Sequence, residues 1–135
     1  MSVLIVGLAA ILAGLVAVVT IASSAYLQRQ GLSTLADGAA LYGSDVGAAG
    51  VYEAGLGRER LRLDPQAVRR AVEDYLRRAR ADSRFEGVRT SVVVDAARGR
   101  VTVTLRAPLD LPRAFAGFDT GYVGASSTAA VQIER

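Results

Sequence analysis

From Met1 to Gln28 the chain carries no charged side chain, and residues 3–27 are almost wholly apolar. A helix needs about 20 apolar residues to cross the hydrocarbon layer of a membrane. The stretch therefore predicts a transmembrane helix or a helix in the core of a filament. A cleaved signal peptide is the alternative, with Ser23-Ser24-Ala25 as its cleavage site, but such peptides carry a basic segment ahead of a shorter apolar run.

The helical pattern continues beyond the apolar stretch. Small and apolar residues recur there at steps of three and four, namely Leu32, Leu35, Ala36, Ala39 and Tyr42. We expect one helix over residues 1–47 that ends at about Gly43 or Gly47, roughly 65 to 70 Å long at about 1.5 Å per residue and so about twice as long as the hydrocarbon layer is thick. Its second half stands outside the membrane and presents an apolar face to a packing partner.

The glycines that follow interrupt this pattern and predict a loop over residues 48–63. Asp64-Pro65 then marks the start of a helix over residues 65–82, because Asp caps helix N-termini and Pro suits the first helical position. Apolar residues on one side of that helix form its buried face, at Val68, Ala71, Val72, Tyr75, Leu76 and Ala79.

A hairpin and a third strand complete the predicted fold. Alternating residues predict strands over 88–95 and 100–107, joined by a turn at Ala-Ala-Arg-Gly, and a third strand over 122–133. Pro108 and Pro112 bracket an irregular link, and residues 113–118 suggest one helical turn. The predicted fold class is α+β: a long N-terminal helix, then a head over residues 64–135 in which helix 65–82 packs on an antiparallel three-stranded sheet.

Composition excludes most catalytic chemistry. The sequence has no Cys, His or Lys, so all 16 basic residues are Arg, and it offers no thiol, imidazole or amine nucleophile. The adjacent acids Glu73 and Asp74 lie among arginines that keep carboxylates ionised. We therefore expect no catalytic residue, no cofactor site and no metal site, and a protein that is not an enzyme.

Residues 58–84 hold nine arginines against five acids. A solvated helix face is the simpler explanation of this pattern. The alternative is a surface for an anionic ligand, nucleic acid included, at Arg69, Arg77 and Arg80, because arginine clusters neutralise phosphates.

Small residues form a stripe along the apolar helix. Six positions, five of them occupied by small residues, repeat at alternating steps of three and four, and we call them the small-residue stripe: Gly7, Ala10, Gly14, Ala17, Ile21 and Ser24. Bulkier side chains lie largely to its other side. In an apolar medium, helices pair through close backbone approach at Gly and Ala, so the stripe predicts a helix–helix assembly surface.

Several segments resemble the TadE/TadG-like pseudopilins of tight-adherence (Tad) pili. They are the apolar opening SVLIVGLAAILAGLVAV, the Ala-rich LSTLADGAALYGSD, and the closing VTVTLRAPLDLPRAFAGF and VGASSTAAVQI. The resemblance implies a subunit inserted in the inner membrane and then extracted into a helical bundle, with its head displayed outside. Pilins of this broad class often carry Glu at position 5 of the processed chain, whereas this sequence has Ile5, which leaves leader cleavage open.

Three functions follow from these patterns. The first is a pilin-like structural subunit of a pilus or secretion apparatus, whose partners are copies of itself or related pilins, the membrane and the assembly machinery. The second is a membrane-anchored periplasmic binding or scaffold module that forms no filament. The third is an anchored regulator with a cytoplasmic head that uses its Arg face, because every Arg follows the apolar stretch and basic flanks favour the cytoplasmic side. Only Arg29 lies near the stretch, which reduces the weight of this charge count.

Overall fold

The structure, a computed structural model, describes residues 1–53, 63–110 and 121–131. Three helices precede three strands: α1 (Ser2–Glu53), α2 (Pro65–Arg78), α3 (Ala81–Arg84), β1 (Arg89–Asp95), β2 (Arg100–Pro108) and β3 (Tyr122–Ala130). The strands form one antiparallel sheet in the order β1-β2-β3. The predicted α+β class, with a long apolar helix ahead of a helix and a three-stranded sheet, is confirmed.

Helix α1 continues to Glu53, past its predicted end at residue 47. Glycine lowers helix propensity, but tertiary packing overrides that preference. Gly43 and Gly47 are both buried against the helix that follows: a Cβ added at Gly43 would lie 2.8 Å from Cγ2 of Val72, and one at Gly47 would lie 2.7 Å from Cδ2 of Leu63. These glycines permit close packing here and do not end the helix. Residues 54–62 of the predicted loop lie outside the described residues.

Helix α2 begins as predicted, with the backbone N–H of Gln66 donating to the Asp64 carboxylate at 2.9 Å. It ends at Arg78, before the predicted residue 82, because Arg80 takes a left-handed conformation with φ of 51°. The short helix α3 follows in a new direction. The change of direction carries the chain to Phe85, whose ring packs over Gly31 of α1.

The sheet has the predicted hairpin, with Val92 opposite Val103 and Asp95 opposite Arg100. In the turn, the Arg98 backbone N–H donates to the Asp95 carboxylate at 3.1 Å, and this bond, with the Arg98 guanidinium, lowers the pKa of Asp95. Strand β2 pairs with β3, which ends at Ala130, earlier than the predicted residue 133. Residues 111–120, which include the predicted helical turn, and residues 132–135 lie outside the description.

The hydrophobic core includes residues of both the predicted N-terminal helix, 1–47, and the predicted head, 64–135. Its largest fully buried side chains come from α1, α2 and β2: Leu32, Val68, Val72, Val101, Val103 and Leu105. The sheet packs chiefly on the second half of α1, whereas the sequence assigned that role to helix 65–82. Small buried residues of α1, Ala36, Ala39 and Ala40, let the helix approach the sheet closely. The core therefore begins inside α1 and extends beyond the predicted head, residues 64–135.

Candidate functional site

The first half of α1 is an exposed apolar surface. Between Ser2 and Ala49 the helix is long and apolar enough to cross a membrane, and its most apolar segment has no buried residue. That segment is therefore not part of the core of the described chain. Burying apolar surface gains about 25 cal/mol per Å², so lipid or other helices around this half of α1 would stabilise it.

The small-residue stripe lies along this exposed half. Gly7, Ala10 and Gly14 are exposed, whereas Ala17, Ile21 and Ser24 are half-buried. A Cβ added at Gly7 or Gly14 would meet no atom within 4 Å in the described residues. At about 100° per residue, the six predicted positions share one side of α1. Further along the helix, the same side packs on the head. The geometry leaves the stripe open to a neighbouring helix.

Two hydroxyl groups in the apolar half are bonded within the helix. The hydroxyl of Thr20 donates to the carbonyl oxygen of Val16 at 2.8 Å, and that of Ser24 donates to the carbonyl oxygen of Thr20 at 3.0 Å. An unbonded polar group in an apolar medium costs several kcal/mol. Both side chains are therefore compatible with lipid or with a helix bundle.

Gln28 fastens the head to α1 where the apolar stretch ends. Its side-chain amide donates to the carbonyl oxygen of Pro108 at 2.7 Å, and its carbonyl oxygen accepts from the backbone N–H of Asp110 at 2.9 Å. The two bonds tie α1 to the segment after β2. Nothing in the sequence indicates this contact, because a single Gln after an apolar run follows no recognisable pattern.

A cleft of about 670 Å³ opens beside Gln28, between α1 and the segments 84–87 and 108–110. Side chains of both charges line it, namely Arg84, Glu86 and Asp110. Within the described residues, no group of acids is arranged to hold a metal ion. The expectation that the protein is not an enzyme stays a prediction.

The predicted anionic-ligand face is spread over α2 and the residues after it. Arg69 and Arg77 are exposed on α2, and Arg77 forms an ion pair with Asp74. Arg80 is exposed beyond the end of α2, at the left-handed residue. Of the three arginines, Arg77 is the one that takes part in an ion pair among the described residues. Exposed ion pairs of this kind contribute about 1 kcal/mol or less to stability.

Arg78 instead links the two long helices. It forms an ion pair with Asp74, and its guanidinium lies 5.2 Å from the centre of the Tyr42 ring and donates to the Tyr42 hydroxyl at 2.9 Å. The rings of Tyr42 and Tyr75 lie 5.9 Å apart, centre to centre. These contacts join α1 to α2 at the edge of the core and are structural.

No family model, curated protein or solved structure matches the chain. The resemblance to TadE/TadG-like pseudopilins therefore stays a proposal.

Proposed function

We propose that the chain is a pilin-like structural subunit of a bacterial pilus or secretion apparatus. The first half of α1 holds it in the inner membrane before assembly, and the head lies on the extracytoplasmic side. One observation carries the proposal: a single uninterrupted helix has an apolar first half with no buried residue and a second half built into the core of the head. Such a helix holds the head on its second half, while its apolar first half packs in lipid or among its own copies.

The small-residue stripe supports assembly through α1. Lipid tails are as apolar as leucine, so the hydrophobic effect does not drive helices together in a membrane. Close van der Waals packing does, and it needs small residues such as Gly7, Gly14 and Ala17 on the contact side. The partners are copies of this chain or related pilins, together with the machinery that assembles them.

The cleft beside Gln28 favours a second candidate, an anchored periplasmic binding or scaffold module. A concave site with side chains of both charges suits a segment of another secretion component. Electron microscopy of native cell surfaces separates the two candidates. A fibre that contains this chain supports the subunit, whereas membrane-bound monomers or small complexes support the anchored module.

Gly14→Leu tests the assembly surface. The substitution raises hydrophobicity, so we expect normal insertion, but the larger side chain keeps a neighbouring helix from closing on the stripe. Fibres or crosslinkable oligomers should be lost. Ala9→Leu is the control, because it adds a similar side chain to an exposed position away from the stripe.

The subunit proposal requires Ala9→Leu to assemble like the parent chain. Assembly by Gly14→Leu at the parental level would exclude the stripe as the assembly surface and weaken the case for a filament. Protease treatment of intact cells checks orientation, since an extracytoplasmic head is cut. Mass spectrometry of the native N-terminus determines whether the chain is processed.

A further inference from the structure

The outer face of the sheet carries an array of hydroxyl groups. Val101, Val103 and Leu105 point into the core, so the residues between them point outward. The cross-strand register aligns Ser91 with Thr104 and Ser126 in one row and Val93 with Thr102 and Thr128 in the next. Five of these six outward positions are Ser or Thr.

Hydrogen bonds between strands hold part of this array in place. The hydroxyls of Thr102 and Thr128 lie 2.9 Å apart, and those of Thr104 and Ser126 lie 3.0 Å apart. A hydroxyl has one donor and two acceptor sites, so each pair keeps one donor and several acceptors for an outside partner. Val93 beside them is 61 % exposed. The result is a surface of hydroxyl groups that can form hydrogen bonds with the hydroxyl groups of a partner.

Two arginines stand next to this array. Arg89 lies directly opposite Arg106 on the same outer face, adjacent to the row that begins at Ser91. The stem of Arg106 lies close to Gly124, the next residue across the sheet. Like charges directly opposite each other on a sheet destabilise it.

Within the described chain, neither arginine has an acidic partner among the ion pairs. Asp95 shares the outer face but lies at the far end of the hairpin, where it pairs with Arg98. A bound anion would offset the repulsion between Arg89 and Arg106. The guanidinium fork matches a carboxylate in a bidentate geometry.

We infer that the outer face of the sheet binds an acidic polysaccharide. The carboxylates of its uronate units pair with Arg89 and Arg106, and its sugar hydroxyls bond to the Ser and Thr array. Nucleic acid fits less well, because its closely spaced phosphates require basic residues along the whole contact. Here the two middle rows of the face carry no charge, and at the far end Asp95 lies opposite Arg100.

The position of the face in the fold makes it available. The sheet is one layer thick, and its inner face packs on α1, so its outer face points away from that helix. It is exposed on a single membrane-held chain and stays on the outside of any fibre with α1 along its axis. The inference therefore does not depend on filament formation.

Binding of the purified full chain, held in a non-ionic detergent, to alginate tests the inference. Alginate is a polyuronate, dextran is the neutral glycan control and double-stranded DNA is the competing polyanion. The test variant is Arg89→Gln with Arg106→Gln. The matched control is Arg29→Gln with Arg70→Gln, which removes the same charge from two exposed positions on α1 and α2 that belong to no proposed binding surface.

We expect the parent and the control variant to bind alginate alike and not to retain dextran. The test variant should lose about tenfold or more in affinity, because charge-assisted hydrogen bonds to both arginines are removed. It should melt no lower than the parent, since repulsion across the hairpin is relieved. A second variant, Thr102→Val with Thr128→Val, keeps every charge and should also weaken alginate binding.

Equal losses of alginate affinity in the test and control variants would show that only the net charge of the chain matters, and this would overturn the inference. Failure of the parent to bind alginate would overturn it directly, as would unchanged binding by the Thr102 and Thr128 variant. Tighter binding to DNA, with the same dependence on Arg89 and Arg106, would assign the face to nucleic acid instead.

Discussion

At the scale of single residues, the closest packing in the head depends on glycines, which have no side chain to keep α1 from its neighbours. A Cβ at Gly38 would collide with the Tyr75 hydroxyl, and one at Gly31 would lie 2.8 Å from the Phe85 ring. Together with Gly43 and Gly47, these positions bring α1 close enough to its neighbours to bury Val68 and Val72 completely. Glycine lowers the stability of the helix at these positions, but it permits closer contact between α1 and its neighbours.

Gly43→Val tests this packing. The three nearest side-chain groups to an added Cβ belong to Val72, Val68 and Val101, all fully buried, so the new side chain has no room. Overpacking of this kind costs about 1–3 kcal/mol. We expect thermal melting of the detergent-solubilised full chain to move to lower temperature.

Gly14→Val is the matched control, because it makes the same change on the same helix where no atom lies within 4 Å of an added Cβ. Its melting temperature should stay near that of the parent. Similar losses in the two variants would show that the effect comes from helix propensity and not from packing.

These glycines also mark a limit of sequence reasoning. A run of Gly, Ala and Ser predicts the end of a helix from propensity alone, and the predicted end at residue 47 followed that rule. Close approach to Val72 and Leu63 keeps Gly43 and Gly47 helical, and such contacts between distant residues leave no local pattern. The bonds from Gln28 to Pro108 and Asp110 were missed for the same reason.

At the scale of elements, alternation along the hairpin was the most reliable signal. Period-two alternation predicts which side chains of a strand face the core, and Val101, Val103 and Leu105 are all buried. The start of α2 at Asp64-Pro65 was predicted from an equally local sequence signal, and the structure shows it. The element against which the sheet packs was not predictable, because two apolar helix faces were available and periodicity does not choose between them.

The two faces of the hairpin make a paired test. Val103→Asp puts an unpaired carboxylate at a fully buried position, which costs several kcal/mol in a head whose stability is about 5 kcal/mol or slightly more. Val93→Asp makes the same change at a neighbouring outer position that is 61 % exposed. Circular dichroism should detect unfolding only in the first variant.

Unfolding by both substitutions, or by neither, would contradict the assignment of the sheet faces. Val92→Asp should destabilise the head less than Val103→Asp does, since Val92 is only half-buried on an edge strand. A melting temperature between those of the other two variants is the expected result.

At the scale of the whole molecule, the head needs the second half of α1 in order to fold. Leu32, Leu35 and three alanines of α1 cover the inner face of the sheet. Without them, a short chain exposes much of its core, and domains of about 60 residues are already marginal. A boundary drawn near residue 50 or 64 therefore divides the core.

A chain of residues 28–135 should be soluble and melt cooperatively, because it keeps both Gln28 and the core while losing the exposed apolar half of α1. A chain of residues 63–135 should show no cooperative transition. Adding a peptide of residues 28–53 to the shorter chain should restore folding. A cooperative transition in the shorter chain alone, at the same temperature, would place the core outside α1.

The uninterrupted course of α1 has a mechanical consequence. Its 52 residues make a rod about 78 Å long, so a change in tilt of about 10°, within the range known for membrane helices, moves its far end by about 13 Å. The head is attached along the side of this rod and is not in series with it. Tension along an α1-centred fibre would pass between subunits through the contacts of neighbouring α1 helices, and the sheet would be carried without bearing the load.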